Sequence, residues 1–151
     1  MIAFVLLLGC SHVVATPDAA VDLDCGIESG DAGVVPTFAE VQALFVRRCA
    51  AGSACHGEGG RGGLALVGGS VYADLVGHPS IGFEALPRVD PGHPERSFLW
   101  LKLDGCFAEL PGCDANDACG VRMPPLSPIS EGFDLSEATV VHEWIAAGAQ
   151  R

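Results

Sequence analysis

The sequence predicts an all-α domain, with three to five short helices carried between long loops. Two segments near the ends of the folded part share one helical grammar, and nothing between them reads as a sheet. "TFAEVQALFVRRC" opens on Thr37 with Glu40 three residues later, the reciprocal pattern of a capping box. Its Phe38, Val41, Leu44 and Phe45 recur on one helical face. "DLSEATVVHEWIAAGAQR" repeats the pattern: Asp134 stands at the capping position, Glu137 at the third helical position, and Gly148 where a helix would stop. No stretch of useful length alternates apolar and polar residues as a half-buried strand does, and there is no internal repeat.

The first helix is expected to run from Thr37 directly into Cys49, and Ala138, Val141, Trp144 and Ile145 make the apolar face of the last. "PERSFLWLKL" follows a proline suited to a first turn, so a shorter helix is expected from Pro94. A single helical turn is expected around "SVYADLVG". The remainder is loop: residues 57–69 hold seven glycines, and residues 104–134 hold Cys106, Cys113, Cys119 and the segment "RMPPLSP". Loops this long in a small domain need something to pack against, and a large apolar cofactor would serve.

The length of 151 residues suits one domain with a modest core. The net charge is −11, and Asp18, Asp22, Asp24, Glu28 and Asp31 fall in residues 1–36, which contain no Lys or Arg. An acidic surface repels phosphate backbones, so no nucleic-acid partner is expected, whereas a basic protein partner is compatible. The first residues, MIAFVLLLGC, form an apolar run too short to span a bilayer and patterned like the core of a secretory signal. The ending Leu7-Leu8-Gly9-Cys10 resembles a bacterial lipobox, although no Lys or Arg precedes the run. The resemblance implies a signal peptide over residues 1–9, lipidation of Cys10, and a membrane held through that anchor. Residues 10–36, acidic and without helical period, read as a flexible tether, and residues 37–151 as the folded domain. Ser11 would, by the same resemblance, favour the outer membrane over the rest of the periplasm.

The chemistry is concentrated in "CAAGSACHGEGG", residues 49–60. A Cys pair followed directly by His is the grammar of covalent haem attachment, but that signature has two residues between the cysteines and here there are five. A plain Cys49–Cys55 disulfide and a zinc knuckle completed by Cys106, Cys113 or Cys119 are the rival readings. Small residues between the two cysteines would let a longer connection bulge outward. Apart from Cys10 there are six cysteines, so haem attachment through two leaves Cys25, Cys106, Cys113 and Cys119 for two disulfides, with three possible pairings. Cys113 and Cys119 flank "DANDA", which suggests a small disulfide-closed loop.

Taken together, the helix ending in Cys49, the "CH", the "PGHPERSFLWLKL" segment, "RMPP" and the terminal "WIAAGA" resemble a class I cytochrome c domain of a bacterial lipoprotein over about residues 37–149. The resemblance implies a small cytochrome c-like fold with its N- and C-terminal helices packed together. It implies haem c held by thioethers from Cys49 and Cys55, with His56 and Met123 as the axial iron ligands. His–Met ligation leaves no open iron position for substrate and suits electron transfer, so the expected function is a monohaem electron carrier with redox-protein partners and not an enzyme. The competing expectation is a haem-free, disulfide-stapled lipoprotein of similar fold acting as a binding or structural module. His78, His93 and His142 are expected to be loop or boundary residues, and "GEGGRGG" lacks the Lys-Ser/Thr ending of a phosphate loop.

Overall fold

The computed structural model describes residues 33–52, 54–113, 119–125 and 135–151. The described residues are all-α: four helices, three 3₁₀ turns, and no strand beyond two isolated bridges, Val76 with Val89 and Pro79 with Pro87. Helix α1 spans Phe38–Arg48, α2 Val71–Leu75, α3 Phe98–Asp104 and α4 Leu135–Ala146. Expectations placed on Cys10, Cys25, residues 10–32 of the 10–36 tether, "DANDA" from Asp114 onward and the Asp134 cap lie outside the described residues.

The start of α1 is built as its sequence reads. The Thr37 N–H donates to the Glu40 carboxylate at 2.7 Å, and the Glu40 N–H donates to the Thr37 hydroxyl at 3.4 Å. This closes both halves of the capping box and satisfies donors that a helix start leaves unpaired. The expected faces of α1 and α4 are the buried ones: Phe38, Val41, Leu44 and Phe45 on the first, Ala138, Val141, Trp144 and Ile145 on the last. The two helices pack together, with Phe38 and Trp144 rings 5.5 Å apart and an Arg48–Glu137 salt bridge at 2.9 Å beside them.

Gly148 ends α4 in a left-handed conformation, φ +94°, that a side chain would strain. Its N–H donates to the Ile145 carbonyl at 2.9 Å and the next, from Ala149, to the Trp144 carbonyl at 2.8 Å. These two bonds make a Schellman ending, which turns the chain back over Trp144. The Trp144 indole N–H then donates to the Gln150 carbonyl at 2.8 Å, and the Tyr72 hydroxyl to that of Ala149 at 3.0 Å. Helix α2 is thereby tied to the same seam.

One expected element is divided. The helix foreseen from Pro94 is a 3₁₀ turn, Pro94–Arg96, followed by α3 after an extended residue at Ser97. Ser97 is fully buried, and its hydroxyl donates to the His93 carbonyl at 2.9 Å while accepting from the Asp90 N–H at 2.8 Å. A serine hydroxyl competing for nearby backbone groups breaks helices in this way. The break lets the Phe98 and Leu99 N–H groups bond to the Pro87 and Arg88 carbonyls, at 3.0 and 2.9 Å. Helix α3 is thus seated against the 87–89 strip and presents Phe98, Leu101 and Leu103 to the core.

Candidate functional site

Cys49 caps the C-terminal end of α1, its N–H bonded to the Phe45 carbonyl at 2.8 Å. The chain then loops out and returns: the His56 N–H donates to the Cys49 carbonyl at 3.0 Å, so these two residues are joined by backbone despite the intervening stretch. Gly52, at φ +76°, makes the turn that permits this, and its carbonyl accepts from the Cys55 and Gly57 N–H groups. Cys49 and His56 therefore stay joined by their backbones across the five-residue spacing.

Beyond His56 the glycine-rich segment folds back under the imidazole. The Leu66 N–H donates to the His56 carbonyl at 2.7 Å, and His56 Nδ1 lies 2.9 Å from the Leu64 carbonyl oxygen. A carbonyl only accepts, so Nδ1 carries the proton and a neutral ring presents Nε2 as its lone-pair nitrogen. Metal-ligating histidines are commonly oriented by such a bond from the other ring nitrogen. Gly60 is required here, because a Cβ at that position would run into the Leu64 backbone.

The imidazole faces a cavity of about 320 Å³, within the range of about 300–1,000 Å³ usual for small-molecule and cofactor sites. Its walls are mainly apolar, from Phe45 of α1, Leu64 and Leu66 of the glycine segment, and Phe98, Leu99 and Leu103 of α3. Cys49, His56 and Met123 all line it. The structure thus brings together three of the four residues expected to hold haem. Cys55 is half-buried beside His56 and is not among the lining residues, though its thiol is close enough to influence that of Cys49. Met123 is half-buried against the core, with its N–H donating to the Lys102 carbonyl at 2.8 Å.

Cys49 and Cys55 both carry free thiols. Burial, with smaller contributions from Cys55 and Glu137, pushes the Cys49 thiol up to about 12, so it is held neutral at physiological pH. Cys113 and Cys119 form the expected small-loop disulfide, and Cys106 is disulfide-bonded as well. All three cysteines considered as a fourth zinc ligand are therefore oxidised, and among the described residues no group of three or more His, Cys, Asp or Glu side chains converges.

Sequence reasoning missed the charges on this cavity. Arg61, Arg88 and Lys102 line it, and among the described residues no carboxylate does, in a chain with 19 acidic and 8 basic residues. Arg88 donates to the Asp74 and Gly63 carbonyls at 2.6 and 3.1 Å. Lys102 is 8% exposed; burial lowers its pKa to about 8. The sequence signal for Lys102 was a charge inside the apolar run "FLWLKL".

Of the other histidines, His93 pairs with Glu95 on the surface at 3.1 Å, and His142 is half-buried with its ring 4.8 Å from that of Trp100. Both are away from the cavity lining. No protein-family model, curated protein or solved structure matches the chain.

Proposed function

We propose that this chain is an exported, lipid-anchored monohaem c-type cytochrome domain with a cytochrome c-like fold, carrying single electrons between redox proteins. The observation that carries the proposal is His56, whose Nδ1 is committed to the Leu64 carbonyl while the ring lines an apolar cavity shared with Cys49 and Met123. A porphyrin suits such a cavity: flat and apolar over most of its surface, with two carboxylates for which Arg61 and Arg88 supply the opposite charge. Bound haem would supply an Fe(III)/Fe(II) couple, tuned by its axial ligands and by burial.

In this reading His56 is the proximal ligand and Met123 the distal one, while the free thiols of Cys49 and Cys55 are the attachment points. The backbone bond between His56 and Cys49 keeps the first thiol beside the ligand, and the glycine turn at Gly52 absorbs the surplus length. Lipidation at Cys10 would tether the domain to the outer membrane or the periplasmic face of a membrane. A surface of net charge −11 favours basic redox partners. Among the described residues no helix is long and apolar enough to cross a membrane.

The test is absorption spectroscopy of protein purified from its native host, oxidised and then reduced with dithionite. A reduced c-type haem spectrum is expected, and Met123→Leu should remove the signature of methionine ligation while leaving haem attached. Colourless protein from a host with haem supply and maturation intact would favour the haem-free binding module instead.

A further inference from the structure

Lys102 is the only lysine in the chain, and it is buried. Its ammonium donates to the Cys119 carbonyl at 2.7 Å and lies 3.8 Å from the centre of the Phe107 ring. Among the described residues it has no carboxylate partner within salt-bridge range. Burying an ammonium without a counter-ion is costly, and one carbonyl and an aromatic face offset only part of that cost. Such an arrangement calls for a role.

The backbone of the same residue holds the other end of the same segment. Cys119 is bound by the Lys102 side chain, and the Met123 N–H by the Lys102 carbonyl at 2.8 Å. Arg122 between them donates from Nε to the Leu103 carbonyl at 3.0 Å, and the Cys113–Cys119 disulfide fixes the segment where it begins. The short segment 119–123 is therefore laid along the end of α3 and fastened twice to one residue. That residue also lines the cavity.

We propose that Lys102 is a positioning residue for Met123, and that its ammonium is a fixed positive charge that raises the reduction potential of the iron. The inference rests on the cytochrome reading above. Seating works through Cys119: with the ammonium bonded to that carbonyl, the segment lies against α3 and the methionine side chain is held at the cavity wall. The potential follows from charge alone. Reduction lowers the positive charge on the iron site by one unit, so a neighbouring cation in a mainly apolar cavity favours the reduced form.

The experiment uses the haem-loaded full chain and three substitutions, each read by equilibrium redox titration, by the charge-transfer band of methionine bound to ferric iron, and by far-UV circular dichroism for folding. Lys102→Met keeps the apolar stem and removes both donor and charge; the band should weaken and the potential fall. Lys102→Gln keeps a donor for the Cys119 carbonyl but not the charge, so the band should persist while the potential still falls. Lys102→Arg keeps both and should restore both. The expected fall is at least a tenfold change in the oxidised-to-reduced ratio at fixed applied potential, about 59 mV for one electron. If Lys102→Met does not fold, Lys102→Gln and Lys102→Arg carry the comparison. Wild type with the band, together with neutral variants that keep the wild-type potential, overturns the role of Lys102 alone. Wild type without haem overturns the cytochrome reading and this inference with it.

Discussion

Trp144 is the residue on which the α1–α4 clamp turns, and Trp144→Ala is its sharpest perturbation. The side chain is fully buried, its ring 5.5 Å from Phe38 of α1 and 6.5 Å from Tyr72 of α2, so three helices meet on it. Truncating a buried aromatic to alanine costs about 3–5 kcal/mol through lost transfer energy and the cavity left behind. The lost indole bond to the Gln150 carbonyl adds about 0.5 kcal/mol, the low end of the usual range, because Gln150 is exposed and water replaces the donor. A total near 4.5 kcal/mol is a large share of the roughly 5–15 kcal/mol that holds a domain together. Urea denaturation followed by circular dichroism measures it, with the midpoint expected to drop by about 2 M for a typical denaturant slope. The control is Val46→Ala on α1, half exposed, which should stay within about 0.5 kcal/mol of wild type. A loss below about 1.5 kcal/mol for Trp144→Ala would refute the clamp.

Gly60→Ala should push the Leu64 carbonyl away from His56 Nδ1, costing about 1–3 kcal/mol of stability and lowering haem content per chain; unchanged stability and loading would mean the loop yields freely. In haem-free folded protein at pH 8, the Cys49 thiol should alkylate far more slowly than in urea. A value raised from 9.0 to about 12 leaves about a thousandfold less thiolate, and equal rates by peptide mass spectrometry would contradict the burial argument. His142 is held below its usual 6.5, chiefly by burial and against the opposing pull of Glu143, Glu95 and Asp104. The unfolded chain therefore binds the proton more readily, and stability should fall as pH drops below about 6.5. His142→Leu should make that decline shallower between pH 7.5 and 5, and an identical slope would remove His142 as its cause.

What could be read in advance was local. The capping box at Thr37 and Glu40 involves side chains three residues apart, and the buried faces of α1 and α4 follow from helical period. Gly148 signalled the end of α4 because a left-handed position favours a residue without a Cβ. Ser97 was illegible as a helix breaker, since its partners depend on how the 87–93 loop is folded. The same limit applied at the site. "CH" pointed to His56, but the group that orients it is the Leu64 backbone carbonyl, which leaves no mark in side-chain identity. Lys102 stands inside the apolar run "FLWLKL", and only the fold brings it to Cys119 and Met123. Nor could the sequence show that the His56 N–H returns to the Cys49 carbonyl across the five-residue spacing, since both groups are backbone.

The most direct measurement is the intact mass of the chain from its native host, taken after denaturation and thiol alkylation. The expected result is a chain heavier by one haem, with Cys49 and Cys55 both protected from the alkylating reagent, and haem staining that survives the denaturing gel. A chain of unmodified mass in which both thiols are alkylated, with haem supply and maturation intact, would contradict covalent haem at this site.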